Sequence, residues 1–137
     1  MRRTFMPTVA LGLAAIGAGW LMLRSAPADA ADQAKEVETA AIHAGLAAAS
    51  KDILLAHIHL HHTINCLVGP RGAGYDDNEM NPCVHMGDGA LPDTTDTTQR
   101  KALEAALEHA TAGLAVNELA AVQKIATEIQ TQLKAVK

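Results

Sequence analysis

No proline interrupts the chain between Asp32 and Val68, and this stretch is dense in Ala, Leu, Glu and Lys. These residues lose little rotamer freedom on entering a helix. Ile42, Leu46, Ala49, Ile53, His57, Leu60, Ile64 and Leu67 recur at three- and four-residue steps. That spacing lines one face of a single long helix. Gly69-Pro70 ends it, because Gly suits the residue after the last turn and Pro cannot continue a helix. Cys66 falls in that last turn.

Residues 69–95 read as a loop, broken up by Gly69, Gly72, Gly74, Gly87 and Gly89 and by Pro70, Pro82 and Pro92. Loops of this length are usually functional or disordered, and a bond through Cys83 would favour order. Asp76-Asp77-Asn78-Glu79 has the look of a calcium loop, but the required spacing fails at Met80 and Asn81. It reads as a solvated turn. Asp96-Thr97-Thr98-Gln99 forms a capping box, with Asp as N-cap and Gln three residues on. A second helix follows over about 96–136. Leu103, Leu107, Ala110 and Leu114 make its first apolar stripe, and Val122, Ile125, Ile129, Leu133 and Val136 make a second, rotated one. The phase change around Gly113 to Asn117 predicts a kink or stutter.

The predicted fold is therefore all-α. It is a long antiparallel helical hairpin, with helices over about 32–68 and 96–136 and a Gly/Pro loop between them. Two such hairpins can dimerise into a four-helix bundle to cover their apolar faces.

The first thirty residues read as a targeting segment. Arg2 and Arg3 are followed by an apolar run from Val9 to Leu23 and by Ala28-Asp29-Ala30. That is the order of a secretory signal peptide, with cleavage after Ala30. An uncleaved anchor is the alternative, but the run is short for a membrane span. Arg2-Arg3-Thr4-Phe5-Met6 resembles the twin-arginine export signal, which carries folded proteins; ordinary export fits the same basic start. The mature chain is then a single helical domain over 31–137, periplasmic or secreted, with no stable membrane insertion.

Removal of this segment takes away Arg2, Arg3 and Arg24 but only one acid, Asp29. The mature chain is thus more acidic than the net −4 of the whole. Such a surface does not attract nucleic acid or anionic membrane. Phe5 and Trp20 also leave, so Tyr75 is the one Phe, Tyr or Trp that remains. The core has to be built from Ala, Leu, Ile and Val, which let helices approach closely but bury little area each. A lone hairpin of this kind would be marginal.

In an oxidising compartment the isolated pair Cys66 and Cys83 reads as a disulfide. A pair of thiolate metal ligands is the rival reading, weakened by the absence of C-x-x-C.

The chemistry-bearing feature is histidine. Four lie in His57-Ile58-His59-Leu60-His61-His62, with His85 in the loop and His109 on the second helix. Neutral imidazole is the commonest protein ligand for transition metals. His57 sits on the apolar stripe and His61 one turn further on, so the two can chelate one ion. On that reading His59 and His62 point away. With Val68 level with about Thr97, the second helix would bring Glu104, Glu108 and His109 to the pair. His85 and Met86 complete the candidate pool, and a thioether beside imidazole suits copper. The bland readings stay beside these: a core histidine at 57, a solvated face at Glu104 and Glu108, and a gap-filling Met86.

There is no C-x-x-C-H for covalent haem, no H-E-x-x-H, no G-x-S-x-G and no P-loop. The leading expectation is an exported helical protein, not an enzyme, that binds copper, nickel or zinc for sequestration or sensing. A non-covalent haem or di-metal redox bundle is one alternative. A structural protein of the cell envelope, with no specific metal, is the other.

Overall fold

A computed structural model describes residues 31–136. The signal peptide expected over 1–30 lies outside the described residues. Five helices are present: α1 Gln33–Ala49, α2 Ile53–Val68, α3 Ala90–Asp93, α4 Thr97–Leu114 and α5 Leu119–Ala135. No strand occurs among the described residues.

Each expected long helix is in fact two helices. α1 stops at Ser50, whose backbone is extended and whose hydroxyl donates back to the Leu46 carbonyl. Asp52 then caps α2, its carboxylate accepting from the Leu55 N–H. Polar side chains that bond nearby backbone groups favour caps over helix interior, and Ser50-Lys51-Asp52 offers two of them. The second break follows the same logic. α4 ends at Leu114, and the Glu118 carboxylate accepts from Ala120 N–H and Ala121 N–H to start α5. The kink expected at Gly113 to Asn117 is a full chain reversal. The capped start at Asp96 is present as expected, its carboxylate accepting from Thr98 N–H and Gln99 N–H. Within the expected loop, Ala90–Asp93 closes one helical turn.

The four long helices pack in a ring: α1 touches α2 and α5, and α4 touches the same two. Neighbours run antiparallel. Thr63 donates to the Ala40 carbonyl, Gln123 to the Ser50 carbonyl and His57 Nε2 to the Val116 carbonyl. Leu60, Leu67, Leu103, Val122, Ile129 and Leu133 fill the middle, with Ala40, Ala44, Ala47, Ala56, Ala106, Ala110 and Ala126 between them. The apolar stripes assigned to a second copy are thus largely covered within one chain. On α1 the expected stripe is displaced. Ile42 is 53% exposed and Leu46 43%, while Val37, Ala40, Ala41, Ala44 and Ala47 face inward. Small residues let α1 sit close to two neighbours at once, and that close approach outweighs burying the two larger side chains.

Cys66 and Cys83 form a disulfide, with Cα atoms 5.2 Å apart across a separation of 17 residues. It joins the last turn of α2 to residues 69–89. Asn65 holds the same segment. Its Nδ2 donates towards the carbonyls of Asp76, Glu79 and Met80, and its Oδ1 accepts from Asp76 N–H. The ends of the segment meet at Gly69, which has φ +66 and lies against the Asp88 carbonyl where any Cβ would overlap it. No helix among the described residues is long and apolar enough to cross a membrane.

Replacing both cysteines by alanine should lower the unfolding free energy by about 3 kcal/mol, the loop-closure value for a ring of this size. Urea denaturation of the oxidised protein and the double variant measures it. Equal midpoints would show that Asn65 and the helix contacts suffice to order the segment.

Candidate metal centre

His59 and His62 are three residues apart on α2, so they share a face one turn apart. The short reversal at Ser50 to Asp52 lays α1 antiparallel beside that face, and His43 arrives level with both. His43 Nδ1 lies 3.4 Å from His59 Nδ1 and 3.3 Å from His62 Nδ1. One ring nitrogen from each of the three falls within 4.8 Å of the others. The rings are tilted or edge-on to one another, with centroids 5.0 to 5.6 Å apart. His62 is buried at 6% exposure, and His43 and His59 are half-buried.

Hydrogen bonds alone satisfy this arrangement poorly. An imidazole nitrogen carries either a proton or a lone pair. His43 Nδ1 faces two nitrogens with only one of either to offer. A metal ion removes the conflict, since three lone pairs can point at one centre. Tetrahedral bonds of 2.0–2.1 Å put neighbouring nitrogens roughly 3.3 Å apart, which is the spacing His43 Nδ1 makes with each of its two neighbours. The three histidines could therefore hold a metal ion.

Their protonation state suits the same role. Burial pushes His43 down to about 4, helped by the nearby charges of His62 and His59. Burial also lowers His59. His62 is lowered by burial and then by His59, against the opposing pull of Glu79. All three rings are neutral at pH 7 and keep the lone pairs that metals need. Glu79 Oε2 lies 3.7 Å from His62 Nε2, on the side of the ring opposite the shared nitrogen. A carboxylate behind a ligating imidazole fixes its tautomer and orientation. The Asn65 contacts and the disulfide bear on the segment that carries Glu79.

The residues expected from the sequence lie elsewhere. His57 Nε2 donates to the Val116 carbonyl at 2.9 Å. His61 faces Asp76, with Nδ1 3.4 Å from Oδ2 but without hydrogen-bond alignment. His109 is exposed and donates to Gln132. Glu104 and Glu108 are exposed on α4. His85 is exposed with φ +71, and Met86 accepts from the Thr39 hydroxyl at 3.8 Å. Among the described residues, no group of three His, Cys, Asp or Glu includes His57, His61, His85, Glu104, Glu108 or His109.

The expected register is also displaced. His57 is level with Val116, and Leu60 packs against the Gly113 position, a shift of about two helical turns from the Val68–Thr97 alignment. Both chain reversals close at one end, and residues 69–96 fill the other. With α1 and α2 as one helix, periodicity leaves His43 out of the site and turns His59 and His62 outward. The signal that could have found the triad is Ser50-Lys51-Asp52. A reversal there brings His43 level with His59 and His62.

No family model matches the chain, and no curated protein and no solved structure is significantly similar to it.

Proposed function

We propose that this is an exported metal-binding protein whose centre is His43, His59 and His62, and that it takes copper, nickel or zinc for sequestration or sensing. The observation that carries this reading is the convergence of three imidazole nitrogens within 4.8 Å, two of the pairs at the edge length of a metal tetrahedron. Imidazole suits all three metals, and the set does not choose among them. The disulfide fits an oxidising compartment, and the basic, apolar, small-x-small order of residues 1–30 supplies the export signal. A haem is disfavoured at this site. The rings crowd each other with centroids as close as 5.0 Å, which leaves no slot for a macrocycle on their shared side.

Calorimetric titration with Zn(II), Cu(II) and Ni(II) should give one ion per chain for at least one metal, and protein purified from its native compartment should carry that metal. Glu79→Gln should weaken binding by about 10- to 100-fold, the usual effect of losing a carboxylate behind a ligating histidine. Circular dichroism of the variant should be unchanged. Absence of saturable binding by the wild-type protein would overturn the metal reading. Full affinity in Glu79→Gln would remove Glu79 from it.

A further inference from the structure

We infer that the centre keeps one coordination position for a ligand from outside the chain, a small monodentate donor such as water or a simple anion. The inference rests on the metal reading of His43, His59 and His62.

The donor set is the first reason. Among the described residues the group contains three histidines and no fourth His, Cys, Asp or Glu within reach. Structural zinc sites are closed by four protein ligands, whereas sites with three keep the fourth position for water or substrate. The nearest carboxylate does not fill it. Glu79 stands behind His62, on Nε2, while the shared nitrogen is Nδ1. Asp76, the next acid along the same segment, is directed to His61.

The placement of the triad is the second reason. The inward faces of α1 and α2 are Ala40, Ala44, Ala47, Leu60, Ile64 and Leu67, all buried. The histidines lie to the outer side of that seam, where His43 and His59 are half-exposed. One turn beyond His43 is Leu46, and one turn before His59 is Leu55. They are 43% and 41% exposed. Among the described residues no helix crosses this part of the seam, since α4 packs on α2 and α5 on α1. The free position therefore lies at the half-exposed edge of the seam, with Leu46 and Leu55 beside it on the side of the Ser50 to Asp52 reversal. An apolar rim of this kind admits a small donor and gives a larger charged one nothing to bind.

Cobalt(II) reports the number and kind of its ligands in its visible spectrum, and azide is a suitable small anion. The wild-type protein loaded with Co(II) should show the intense bands of a four-coordinate ion. Azide should shift them in a saturable way, with one azide per cobalt and no loss of cobalt from the protein. A Co(II) spectrum that azide leaves unchanged would mean that the chain closes the site itself; the open position would then be wrong and the metal centre would stand. Failure of the protein to bind Co(II), Zn(II), Cu(II) or Ni(II) would overturn both. Release of cobalt by azide without an intermediate spectrum would also overturn the open position, because the anion would be competing with the histidines.

Discussion

In His62→Ala protein, binding of the preferred metal should fall by more than about 100-fold, while His57→Ala protein should bind like the wild type. Losing a carboxylate behind a ligand already costs about 10- to 100-fold, and loss of the ligand itself exceeds that. His62 brings one of the two short nitrogen contacts to His43, whereas the His57 ring is engaged with the Val116 carbonyl. His62 is also buried, so its removal leaves a cavity beside Glu79. His43→Ala separates packing from ligation: His43 is half-buried, and its loss should weaken binding to a similar degree with less effect on melting. Titration calorimetry at one fixed pH, with circular dichroism to verify the fold, makes the comparison. Equal losses in His57→Ala, His62→Ala and His43→Ala would reduce the cluster to a histidine-rich surface of no particular geometry.

Glu36→Gln should make the protein more stable at pH 8 and change little at pH 5. Glu36 is fully buried on α1. One carboxylate oxygen accepts from Gly89 N–H, and the other is buried with no hydrogen-bond partner. Burial raises its pKa to about 7 from an ordinary 4.5, and the Asp93 carboxylate facing it from α3 adds to the shift, with Asp88 a smaller contributor. Between those two values the folded chain binds more proton than the unfolded one. Stability from this group is therefore complete below about pH 4.5, falls as pH rises through that window and levels off above about 7. At 1.36 kcal/mol per unit the loss is at most about 3 kcal/mol. Gln keeps the size and the Gly89 contact and carries no charge, so the variant should gain most of that at pH 8. For a domain of this size the gain is roughly 10 °C in melting temperature. Thermal melts of both proteins at pH 5 and pH 8 test it. A Gln variant that melts lower at pH 8 would show that Glu36 is held ionised by something other than these neighbours.

Local sequence rules carried the helix class and the outer ends of the two helical pairs. The caps at Asp96 and Gly69 were legible because capping is a contest between a side chain and its own nearby backbone. The disulfide was legible from an isolated pair of cysteines with no C-x-x-C spacing. The reversals at Ser50 to Asp52 and at Ala115 to Glu118 are not legible as such in the sequence. Neither contains Pro, and a polar triplet inside a helical pattern is compatible with continuing the helix. The α1 stripe failed for a related reason. Ile42 and Leu46 lie outward although their spacing is that of a core face, because α1 contributes its alanines to two neighbours.

The site shows the same division more sharply. That histidine would be the chemistry-bearing residue followed from its density between His57 and His62. Which histidines would meet was decided by the reversal before α2. With α1 and α2 as one helix, His43 lies more than two turns from His59, and no ligand set can include both. With the chain turned back at Ser50, antiparallel neighbours put residue 43 level with residues 59 and 62, and His57 and His61 pass to other partners. Composition and spacing determined on their own that this chain is helical, clipped by one disulfide and rich in candidate ligands. The convergence of three nitrogens within 4.8 Å depends on contacts between residues up to nineteen positions apart. Those are fixed by how closely alanine-faced helices pack, which no local pattern encodes.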